Sequence, residues 1–80
     1  MDTEISNIIS QSFKEDDRNL AIKELSSITL SHVMAESESN LKNTYLSILR
    51  LSKGDINELK RLVECAKQDF RDVIYWASME

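Results

Sequence analysis

The chain contains no proline and a single glycine, Gly54, in eighty residues. Tight β-turns and hairpins draw heavily on those two residue types, so a sheet protein with many reversals lacks its raw material. A glycine-rich phosphate loop is excluded on the same count, because several glycines are needed to bring backbone amides close to a phosphate. One cysteine, Cys65, precludes an internal disulfide and fits a reducing compartment. One histidine, His32, is too few for a di-metal bundle site, which takes a Glu-x-x-His pair from each of two helices. No apolar run approaches the roughly 20 residues that span a bilayer. The first ten residues, MDTEISNIIS, carry acids early and no basic flank, unlike a secretory signal. The expected location is the cytoplasm.

What is present points to helices. The densest pattern lies between Ser52 and Ala77, where Ile56, Leu59, Val63, Ala66, Phe70, Val73 and Ala77 recur by threes and fours. That is the spacing of a buried helical stripe, widened on its flanks by Leu62 and Ile74. Gly54 suits the left-handed exit of a preceding helix, and Asp55 can cap the next one, with Glu58 placed to close a capping box. The spacing predicts one helix over about 55–77. Before it, Leu30, Val33, Met34, Leu41, Tyr45, Ile48 and Leu51 keep a common phase, which favours one helix over about 31–52; a fresh start at Ser39 or Asn40 is the competing reading. Further upstream, Ala21, Ile22, Leu25 and Ile28 fall on nearly the opposite side of the wheel, so a break is expected between Ser26 and Ser31. Asp16 or Asp17 is the expected cap of that helix. Ile5, Ile8, Ile9 and Phe13 mark a short first helix capped by Asp2 or Thr3, docked or frayed within 1–15.

The expected fold is therefore all-α: a single domain over 1–80, a small bundle built on a C-terminal antiparallel helical hairpin (about 31–52 and 55–77), with one or two shorter helices ahead of it. Its core should include Leu59, Val63, Phe70 and Val73, facing Leu41, Tyr45, Ile48 and Leu49.

The formal charge of −4 argues against a general phosphate-binding role. The bases Lys23, Lys42, Arg50 and Lys53 of the net-basic middle are scattered among acids, and no helix-turn-helix pattern accompanies them, so nucleic-acid binding ranks last. His32 and Glu36 are four apart, a spacing at which two helical side chains can begin a metal site, but a third ligand is missing from the pattern. A polar surface pair is the plainer reading. Asp69, Asp72, Glu64 and Glu80 read as solvated charge, and Cys65 as a half-buried inert thiol beside the stripe.

No nucleophile–base pair, metal-ligand run or cofactor motif emerges, so no enzyme, cofactor or metal is expected. The expected function is a small helical protein–protein interaction or self-association module, a homodimer being its simplest form. The alternative is a small-molecule or metal-binding helical protein with a site around His32 and Glu36. The expected partner surface is the side of the last helix opposite its stripe: Gln68, Asp72, Tyr75 and Met79, with Trp76 at the edge. A first helix folded over that side through Ile5, Ile9 and Phe13 is the competing structural use of the same residues.

Overall fold

The computed structural model describes residues 2–33 and 37–80. Within them the chain forms five α-helices and a short 3-10 turn, with no strand among the described residues. The all-α bundle expected from the sequence is the observed architecture.

Helix α1, Thr3–Ser12, is capped by Asp2, whose carboxylate accepts from the Glu4 amide at 2.8 Å. Ile5 and Ile9, one turn apart, are buried, and Phe13 follows them into the core just past the helix end. Helix α2, Glu15–Ser26, starts at Lys14 without a side-chain cap. Asp16 and Asp17 are thus not caps. With Glu15 they fill the first turn, where their charge opposes the positive end of the helix dipole. Ala21 and Leu25 are its buried positions.

The break expected after Ser26 is present. Ser27 folds its hydroxyl onto the Glu24 carbonyl at 2.6 Å, and Ile28, fully buried, leads into the 3-10 turn Leu30–His32. Helix α3 then runs over Glu38–Ser52, opened by the Ser37 hydroxyl, which accepts from the Asn40 amide at 3.2 Å. The hairpin's first arm is therefore shorter than 31–52. Residues 30–32 are wound as 3-10 and Val33 is extended, so the common apolar phase of Leu30 and Val33 with α3 does not reflect a shared helix. The expected positions Met34 and Glu36 lie outside the described residues.

Lys53 and Gly54 both take positive φ, 51° and 83°, and turn the chain into α4, Ile56–Gln68. Asp55 caps that helix as expected, accepting from Asn57 at 2.9 Å and Glu58 at 3.2 Å. Glu58 forms no capping box; its carboxylate pairs with Arg61 instead.

The expected helix over 55–77 is interrupted at Asp69, where φ is −157° and ψ 101°. A final helix, α5, Phe70–Ser78, follows at once. Asp69 closes α4 with its amide on the Cys65 carbonyl and opens α5 with its carboxylate on the Arg71 amide, both at 3.0 Å. The two halves are not collinear. A straight helix from Ile56 to Ser78 would run roughly 35 Å. Yet the Glu80 carboxylate pairs with the Lys53 ammonium at 3.7 Å and its carbonyl accepts from Arg50 at 3.1 Å, so the chain doubles back at Asp69. Folding back lets Phe70, Val73 and Ala77 pack on α3 as well as α4, contact that a straight arm would forfeit.

The core joins every helix. Ile5, Ile9, Ala21, Leu25, Ile28, Ile48, Leu59, Leu62, Val63, Ala66 and Val73 are at most 1 % exposed and contiguous. Leu59, Val63, Phe70 and Val73 are buried as expected, as are Ile48 and Leu49; Leu41 and Tyr45 are half-buried at its margin. Two polar residues enter it: Thr44 turns its hydroxyl to the Asn40 carbonyl at 2.8 Å and Ser52 to the Leu49 carbonyl at 3.1 Å. Each is satisfied within its own helix, so neither carries an unpaired group into the interior.

Candidate functional site

Helix α5 divides into two sides. Phe70, Val73 and Ala77 face inward, while Tyr75 is 63 % and Met79 70 % exposed. Trp76, at the boundary, is 39 % exposed and Asp72 is exposed on the same helix, whereas Gln68, also exposed, ends α4 and is parted from that side by the reversal at Asp69. Tyr75, Trp76 and Met79 are the large exposed apolar side chains among the described residues, two on α5 and one at its C-cap. Helix α1 packs against α2 and α3 and does not cover them.

The neighbouring polar groups are mostly engaged. Arg71 holds Asp69 through Nε and Nη2, each at 3.0 Å, on top of the backbone cap. The Arg71 guanidinium, with its amide second, keeps the Asp69 carboxyl below the usual carboxylate range. Asp72 has no such clamp and leaves one acid on the outer side beside Tyr75. Arg50 and Lys53 of α3 and its turn are tied to Glu80.

Two clefts mark the surface, of which one borders α5. One of about 240 Å³ lies between α3 and α5, walled by Asn43, Ser47, Arg50, Ile74, Ala77 and Ser78. The other, of about 740 Å³, is an open groove where α1, α2 and α3 meet, with Ile5, Ile22, Leu41 and Tyr45 as its apolar walls. The Tyr45 hydroxyl is directed away from chemistry there, donating to the Ile28 carbonyl at 2.7 Å, and burial pushes its pKa up. At the groove's mouth Lys42 bridges Asp2 at 3.5 Å and Glu4 at 3.1 Å. The Glu4 amide and then Lys42 hold Asp2 below its ordinary value, which ties α1 to α3.

The remaining candidates are dispersed. His32 ends the 3-10 turn, where its Nδ1 accepts from the Thr29 amide at 3.0 Å. Glu36 lies outside the described residues. Cys65 is a half-buried free thiol on α4. Among the described residues no three His, Cys, Asp or Glu side chains converge as metal ligands, and no helix is long and apolar enough to cross a membrane. Asp69 is the residue that sequence reasoning undervalued. Its carboxylate two residues before Arg71 is a cap signal, but the unbroken apolar stripe around it masked the signal.

Searches against protein-family models, curated proteins and solved structures match nothing to this chain.

Proposed function

We propose that the protein is a small interaction module that works by packing the outer side of α5 against another protein chain, a second copy included, and catalyses no reaction. The observation that carries this reading is the exposure of Tyr75 and Trp76 on a nine-residue helix, with Met79 at its C-cap, while Phe70, Val73 and Ala77 of the same helix are used in the core. Aromatic and methionine side chains are enriched at the centres of protein interfaces, and a solvated surface has no use for three of them in two turns. Asp72 supplies a polar group on the same helix. The net charge of −4 disfavours nucleic acid as the partner, and the single thiol and absence of an apolar span favour a cytoplasmic setting.

The test compares wild type with Tyr75→Glu by sedimentation equilibrium over a wide concentration range, and by capture from a lysate of the native cell. The expected result is association or capture by wild type that the variant loses, with its thermal unfolding unchanged. Equal behaviour of the two proteins in both assays overturns the reading.

A further inference from the structure

One apolar stripe runs through residues 56 to 77 without a change of phase, although the chain is folded in two in the middle of it. Val63, Ala66, Phe70, Val73 and Ala77 follow one another by three, four, three and four, and all are buried on both sides of Asp69. A single straight helix would align the same side chains along one side. Nothing from Glu64 to Ile74 forbids that helix: the segment has no glycine or proline, and its connector is one residue. The doubled-back form is held instead by a local cap at the reversal and by ties across the bundle. Asp69 caps α5 and grips Arg71, and Glu80 reaches Lys53 and Arg50 at the far end.

We propose that α5 is exchangeable between two copies of this chain. In the exchanged form α4 and α5 fuse through Asp69 into one straight helix, and the α5 of each chain occupies the place on α3 that the other's α5 has left. The occupant is set by complementarity: the vacated surface is shaped for Phe70, Val73 and Ala77, and the basic pair Arg50 and Lys53 is positioned for Glu80. A one-residue connector leaves no slack between α4 and α5, and short hinges favour exchange over closure. The proposal rests on the self-association part of the reading above but uses a different surface, since Tyr75 and Met79 remain on the outside in either form.

The experiment refolds wild type, Asp69→Ala and Tyr75→Glu at high protein concentration, each in a Cys65→Ser background, and sizes them after dilution by sedimentation velocity. Removing the α5 cap should raise the dimer-to-monomer ratio of Asp69→Ala roughly fivefold or more over wild type, the factor that one lost N-cap carries. Tyr75→Glu should dimerise like wild type. Ser47→Cys with Ser78→Cys, both on the walls of the α3–α5 cleft, then reports which chains meet. A short bis-maleimide should join two chains in the dimer fraction, giving covalent dimers on a denaturing gel. Links confined to single chains, a monomeric Asp69→Ala, or loss of the refolded dimer in Tyr75→Glu each overturn the exchange. Should Asp69→Ala not fold, a Gly-Ser-Gly insertion between Asp69 and Phe70 decides the matter. The longer connector should abolish the wild-type dimer and keep the fold, and a dimer that survives the insertion, or a wild type that forms none, overturns the proposal.

Discussion

A methyl group added to Gly54 would overlap the carbonyl oxygen of Ser12, at a backbone φ of 83° that side chains avoid. Two separate costs therefore meet at one position, and Gly54→Ala should destabilise by more than about 1 kcal/mol, read as a lowered urea midpoint with unchanged m. Phe70→Ala should cost about 3 kcal/mol, toward the low end for a phenylalanine truncation, because the residue stays 8 % exposed. A loss under about 1 kcal/mol would show that the ring contributes little packing. Asp69 adds a pH dependence. Its carboxyl is held below its ordinary 3.8 by Arg71, so the folded state binds this proton more weakly than the unfolded chain does. The stability it supplies is complete above that ordinary value and is lost as pH falls below it, through the folded value. Asp2 behaves alike. Asp69→Asn keeps an oxygen for the Arg71 amide and loses the charge, so its urea midpoint should fall less than that of wild type between pH 7 and pH 3.

At the level of elements, α1 and α5 answer different needs. Ile5 and Ile9 are at most 1 % exposed, so α1 is a structural part of the core and leaves the Tyr75 side open. Ile9→Ala should lower stability by about 2–4 kcal/mol while the emission maximum of Trp76 in the folded variant stays that of wild type. A red shift on that substitution would mean that α1 shields the tryptophan after all. The helices with their own caps were legible in the sequence: Asp2 and Asp55 stand where their carboxylates are needed, and the serine-rich step after Ser26 marks a real end. So was the inward set Leu59, Val63, Phe70 and Val73, because periodicity reports which side is buried whether or not the helix is straight. Periodicity is silent on collinearity, which is why the reversal at Asp69 and the 3-10 turn before α3 were not visible in it. Both are decided by contacts between residues far apart in sequence, such as Glu80 with Arg50. The outward set was legible as a pattern of exposed aromatics, whereas what meets it is a property of another surface.

The whole molecule spans 34 × 24 × 18 Å, and its core takes side chains from every helix, so few substitutions act on one element alone. Unfolding is expected to be a single transition: far-ultraviolet circular dichroism and Trp76 fluorescence should give coincident urea curves, and separated midpoints would show that α5 detaches before the rest. The contact of Gly54 with the Ser12 carbonyl also has a consequence during biosynthesis. The place where α1 ends is completed by a turn some forty residues further along the chain. As the ribosome delivers the chain, α1 emerges ahead of that turn and has only α2 to rest on until α3 and the turn have cleared the exit tunnel. Its isoleucines spend the interval only partly covered, and a helix made well before α3 and α4 is fully seated only after them.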